Sequence, residues 1–264
     1  NQISLNLKVY RWNPEENSNP RIDSYEIDKS LRFNDDDSAV LIYTPGGAGD
    51  SRQMTFSFWM KIGNLGQKYM WTAWNGSNTD RIGFTGDNQF FIELKDGGST
   101  EGEFHSDKLC RDPSAWYHIV VAFDSTQSTA NDRIKVYVNG VQHTSFSAST
   151  IAPQDYDMQL NQSGPFQIGA TFGSLGAYLS DYYFIDGQQL TPTSFAETSS
   201  DGVWIPKDAK DDLTFGNYGF FLEFKQAGTS ADSSGKGADT SGNDNHFDDN
   251  GAGTDHIVTD TPTN

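Results

Sequence analysis

Cysteine is nearly missing: Cys110 is the single one in 264 residues. No disulfide can therefore close within the chain, which excludes a stapled scaffold and leans toward assembly in a reducing compartment. Basic residues are also scarce. Eighteen Lys and Arg stand against thirty-six Asp and Glu, a formal charge of −18. Without a basic stripe to displace counterions, no nucleic-acid partner is expected, and an anionic membrane surface is excluded on the same ground. No apolar run is long enough for a membrane-spanning helix, so no membrane insertion is expected. The opening Asn1-Gln2-Ile3-Ser4 lacks the charged-then-apolar pattern of a secretory leader. Long helical periodicity is absent as well. The length suits one large domain.

What the chain does contain is short alternating runs separated by turn residues. Residues 116–140 are the clearest case. Ile119, Val121 and Phe123 alternate with Val120, Ala122 and Asp124, a strand largely apolar on both faces. Ile134, Val136 and Val138 alternate with Lys135, Tyr137 and Asn139, a strand with one wetter face. Asn139-Gly140 is a hairpin dipeptide that tolerates positive φ. Similar signals recur at Asn75-Gly76, Gly97-Gly98 and Asp186-Gly187. Together they predict an antiparallel sandwich rather than a parallel sheet. Thr191-Pro192 suits the start of one short helical turn, with Pro192 as its first residue. The chain divides into an N-terminal β-hairpin arm (residues 1–30), a strand-rich body (31–227) and an acidic arm rich in Gly, Ser and Asn (228–264). Alone, the last segment has too little apolar surface to fold.

Several of these segments, in order, carry a resemblance. Trp116-Tyr117-His118 with its apolar run, the Tyr137-Val138-Asn139-Gly140 turn, Met54-Thr55-Phe56-Ser57-Phe58-Trp59 and Leu179-Ser180-Asp181-Tyr182-Tyr183-Phe184-Ile185-Asp186-Gly187 resemble the laminin-G-like, concanavalin A-like jelly roll. The resemblance implies an all-β, two-sheet antiparallel jelly-roll sandwich with an extended but ordered C-terminal arm. The wording of Arg111-Asp112-Pro113-Ser114-Ala115-Trp116 and Gly202-Val203-Trp204-Ile205-Pro206-Lys207 is similar to modules in structural proteins of tailed phages. Residues 5–28 weakly resemble the start of a succinate dehydrogenase iron–sulfur subunit. That function is excluded, because its clusters need many cysteines and this chain has one.

Three kinds of site are candidates. The resemblance implies calcium at a rim, and a hard cation wants six to eight oxygens on a bent loop. Asp35 and Asp37 in one turn, and Asp239 and Asn243 in another, offer them, with solvated turns closed by Asx hydrogen bonds as the alternative. A sugar platform needs aromatic faces beside amides. Trp71, Trp74, Asn75 and Tyr178 are its candidates, with core packing as the alternative. Trp59 and Trp116 lie in strands that read as core. Catalysis by a glycosidase needs two carboxylates across the scissile bond. Glutamate is rare in the strands, and Glu101 and Glu103 read as part of a Gly-rich turn, so no enzyme is expected. His118 reads as a sheet or core histidine.

The phage-like wording implies a non-enzymatic virion structural module, in a tail fibre, appendage or capsid decoration. Its partners would be other virion proteins or copies of itself, with a host-surface glycan as a second partner, and its place the virion exterior. The alternative is a free-standing carbohydrate-binding lectin domain, extracellular or on a cell surface.

Overall fold

The computed structural model describes residues 25–169, 175–251 and 256–263. The hairpin expected over residues 1–30 lies outside the described residues as far as residue 24. Eighteen strands lie among the described residues: β1 (Ser30–Phe33), β2 (Val40–Tyr43), β3 (Gln53–Ile62), β4 (Lys68–Asn75), β5 (Asn78–Phe84), β6 (Gln89–Asp96), β7 (Ser99–Leu109), β8 (Trp116–Asp124), β9 (Ile134–Val138), β10 (Val141–His143), β11 (Phe146–Thr150), β12 (Phe166–Gly169), β13 (Ala177–Asp186), β14 (Ala196–Thr198), β15 (Trp204–Pro206), β16 (Phe220–Leu222), β17 (Asp248–Asn250) and β18 (Ile257–Val258). Every paired strand is antiparallel. One sheet runs β10-β9-β8-β3-β13-β1-β18, with β16 also on β13. The other runs β11-β7-β6-β5-β4-β12-β2-β17, and β14-β15 form a separate ribbon. This is the expected two-sheet antiparallel jelly-roll sandwich.

Alternation decides what meets between the sheets. Phe56 and Phe58 of β3, Ile119, Val121 and Phe123 of β8, and Tyr182 and Phe184 of β13 face Trp71, Ile82, Ile92 and Phe166 of the other sheet, all within one buried cluster. Such burial of large apolar side chains is the main favourable term of the fold. β8 is apolar on its other face too, and a third layer explains why. Residues 190–215 lie over the first sheet, where Phe195, Ala209 and Phe215 bury Val120, Tyr183 and Ile185. Asn139 (φ +50°) and Gly140 (φ +77°) make the tight turn between β9 and β10. Pro192–Ser194 form a single 3₁₀ turn after Thr191.

His118 pins the β14-β15 ribbon to this layer. Trp204 Nε1–H donates to His118 Nδ1 (3.0 Å), so the imidazole proton sits on Nε2 and points to Ser57 Oγ (2.9 Å). Burial keeps the ring neutral and pulls its pKa down to about 3. Its role is structural.

β13 carries a bulge. Ser180 pairs with Trp59 and Tyr183 with Ser57, one residue more on β13 than on β3, and Asp181 sits there at φ +43°. Before the bulge β13 pairs with β1, and after it with β16. Residues 228–264 contribute an edge strand to each sheet, β17 beside β2 and β18 beside β1. Lys236 and Asp249 form a fully buried ion pair there (2.7 Å).

Candidate functional site

The register of the first sheet places Arg32 of β1 opposite Tyr178 of β13, Tyr178 opposite Lys61 of β3, and Lys61 opposite Trp116 of β8. Leu31, Leu179 and Met60 beside them are core, and Tyr117 beside Trp116 packs against that core. The period of two therefore turns the whole row outward. The third layer buries the next row, Trp59 and His118, and leaves this one half-buried. Asp260, just beyond β18, binds the far end. Its carboxylate accepts from Lys61 Nζ (2.6 Å) and from Trp116 Nε1 (3.2 Å). Lys61 Nζ also lies 5.7 Å from the Tyr178 ring centre, within range of a cation–π contact. Trp116 meets Tyr178 edge-on, with ring centres 6.5 Å apart.

At the Arg32 end the row opens into a cleft of about 260 Å³ lined by Arg32, Asn34, Asp35, Asn64 and Tyr178. Its floor is the backbone of Gly63 and Gly176. The amides of Gly63 and Asn64 both donate to the Gly176 carbonyl (2.9 and 3.2 Å). Gly176 sits at φ +51°, and a Cβ there would press on Asn64 Oδ1 and Lys68 Nζ, so glycine leaves these two side chains in place. Asn64 receives a hydrogen bond from Lys68 Nζ and donates one to Asp35 Oδ2. Burial lowers the pKa of Lys68, and the charge of Asp35 opposes that shift. Ring face, amides, carboxylate and guanidinium thus share one small cleft. An aromatic face packs on C–H groups while the amides and charges fix hydroxyls or an anion.

Only one of the four expected sugar contacts lies here. Tyr178 lines the cleft. Trp71 is fully buried between the sheets, its ring 4.9 Å from Phe56 and 5.3 Å from Phe166, so the expectation that it binds a sugar is corrected. Trp74 and Asn75 end the β4–β5 hairpin of the other sheet, half-buried and exposed respectively, and do not join Tyr178. Trp116, read as core, stands on the outer face because it shares the parity of His118 on β8, opposite to that of the core residue Ile119. Glu101 and Glu103, read as a turn, belong to β7. Glu103 pairs across the ladder with Glu93; Lys95 Nζ lies 2.9 Å from Glu93, and the His105 imidazole lies 3.3 Å from Glu103.

The four expected cation ligands are likewise dispersed. Asp239 is enclosed by donors. Oδ1 accepts the amides of Phe221 (2.9 Å) and Ser241 (2.8 Å), and Oδ2 accepts Ser241 Oγ and the Asn245 amide (both 2.9 Å). Those bonds occupy the lone pairs a cation would need, so Asp239 is a structural hub rather than a ligand. Asn243 Nδ2 donates to the carbonyls of Gly216 (2.7 Å) and Gly219 (2.9 Å). Asp35 turns to Asn64, while Asp37 turns to Asn34 and His256 (both 2.9 Å). Among the described residues no three His, Cys, Asp or Glu side chains gather in a way that could hold a metal. These donor sets do not fit calcium.

Arg32, Lys61, Asn64 and Asp260 escape a reading of the sequence, since no local pattern links them. The signal nearest to one is the outward parity of Arg32 beside Leu31 and Phe33.

Fold and cleft together define a β-sandwich module with a small polar-aromatic recess at one rim. Residues 34–193 match the concanavalin A-like lectin/glucanases superfamily, and the chain belongs to that family. No curated protein matches the chain. Among solved structures it is similar to a Bacteroides ovatus protein to which carbohydrate binding is ascribed, at 15% identity and a TM-score of 0.54. That match covers 91% of this chain and 62% of the other. It is also similar to a heptameric SAP-like pentraxin of Limulus polyphemus (17% identity, TM-score 0.45, 64% of this chain and 80% of that one). A third similar structure is the LG4-5 pair of mouse laminin α1 (12% identity, TM-score 0.45, 67% of this chain and 48% of that one).

Proposed function

We propose that the chain is a non-enzymatic carbohydrate-binding module that holds a sugar in the Arg32–Tyr178 cleft. The convergence of Arg32, Asn34, Asp35, Asn64 and Tyr178 on one recess carries this reading. The carbohydrate binding ascribed to the Bacteroides ovatus protein is consistent with it. At about 260 Å³ the cleft is at the small end of ligand pockets, room for about one sugar ring. Asp35 is the single carboxylate lining it, and glycoside hydrolysis needs two, so no turnover is expected. A glycan array followed by titration of the best ligand tests the proposal. Tyr178→Ala should weaken binding by about tenfold or more with an unchanged melting temperature, whereas Trp74→Ala should not. A folded protein that binds no glycan, or a Tyr178→Ala variant that binds normally, would overturn it.

A second reading keeps the module and places it on a virion exterior, where it meets copies of itself or other virion proteins. The phage-like wording of the sequence supports it. So does the edge strand β10, where Val141 is 59% exposed and no further strand pairs among the described residues. Electron cryo-microscopy of the source particle tests this directly. A chain seen only as an isolated globule would remove it.

A further inference from the structure

We propose that the sugar held in this cleft carries a carboxylate, gripped by the guanidinium of Arg32. The inference rests on the carbohydrate-binding reading and narrows its ligand class. Among the described residues the other arginines all have partners. Arg52 pairs with Asp157 (2.8 Å) and Arg81 with Glu93 (3.4 Å). Arg111 donates to the Asp87 carbonyl (3.3 Å), and Arg133 to the carbonyls of Gln127 (2.8 Å) and Ala152 (2.9 Å). Among the described residues Arg32 has no ion pair, and its buried Nε has no acceptor. The chain has twice as many acidic as basic residues, so a lack of carboxylates is not the reason.

The surroundings hold Arg32 free. Asp35 lines the same cleft but is hydrogen-bonded to Asn64, which in turn is bound by Lys68. Asp260 is engaged by Lys61 and Trp116 at the other end of the row. Asp37, two residues beyond Asp35 in the same turn, is likewise engaged, by Asn34 and His256 (both 2.9 Å). A planar guanidinium matches a carboxylate through two parallel hydrogen bonds. Tyr178 then supplies the face for the ring, and Asn34 and Asn64 the amides for its hydroxyls.

The test uses the intact chain on an array with three arms: carboxylated glycans (uronate and sialate sugars), sulfated glycans and their neutral parents. Oligogalacturonate and its methyl ester form a matched pair that differs only in charge at the acid. Carboxylated sugars should bind at least tenfold tighter than the uncharged forms. Arg32→Gln should abolish that preference, and Arg32→Lys should restore part of it, each with an unchanged melting temperature. Equal binding of charged and neutral forms, with Tyr178→Ala still disruptive, would overturn the carboxylate and leave the sugar site standing. A preference for sulfate alone would also overturn it. No binding on any arm would remove both.

Discussion

Asp181 lies at the β13 bulge, 3% exposed, with the Tyr25 hydroxyl as its hydrogen-bond donor. Burial raises its pKa to about 8, with nearby Glu223 adding to the shift. In the unfolded chain an aspartate releases its proton near about 4. Between those values the folded state keeps a proton that the unfolded state has lost. The contribution is therefore complete below about pH 4, declines at up to about 1.4 kcal/mol per pH unit, and is gone above about pH 8. Asp80, raised by burial to about 7, acts in the same direction although it accepts three backbone amides. Asp181→Asn fixes the neutral form, so the loss of stability from pH 5 to pH 8 should shrink. Urea unfolding of both proteins at the two pH values measures it, and an unchanged difference would refute the assignment. The bulge also settles where two tyrosines point. Tyr178 and Tyr182 are four residues apart and would share a face on a regular strand. The extra residue sends Tyr182 into the core and leaves Tyr178 in the cleft.

Among the elements, β17 and β18 show how a polar segment earns its place. Residues 228–264 cannot fold through apolar burial of their own, yet they run along both sheets through β17 and β18. The Lys236–Asp249 pair is buried on both sides, where two desolvated charges are tolerated only together. Lys236→Met should cost about 3–5 kcal/mol by leaving Asp249 without its ammonium, and the double change with Asp249→Leu should recover most of that. Thermal melts of the three proteins decide it, and a single variant as stable as the parent would count against the pair. The same segment delivers Asp260 to Lys61 and Trp116, so the residues after β18 are tied to the Arg32–Trp116 row. Ser30 Oγ donating to the Asp260 carbonyl (2.6 Å) and the Ile27 amide donating to Thr263 Oγ1 (3.1 Å) secure that link.

For the molecule as a whole, the engaged carboxylates of Asp35, Asp37 and Asp239 predict that calcium does not support the fold. Melting temperatures with EDTA and with millimolar calcium should agree, and a calcium-dependent rise would reveal a cation site that these residues do not form. Alternation at β8 and β9, the Asn139-Gly140 turn and the shortage of long helical patterns were enough to establish an antiparallel sandwich, because strand period and turn chemistry are local properties. Tyr178, which lines the candidate cleft, was legible as one of the aromatic candidates. Which aromatic faces water was not. Alternation separates two faces of a strand but does not say which one a second sheet or a third layer will cover, and a bulge exchanges the faces part-way along. The cleft brings together residues from positions 32 to 178, with Asp260 behind the row, and only long-range strand pairing sets those distances.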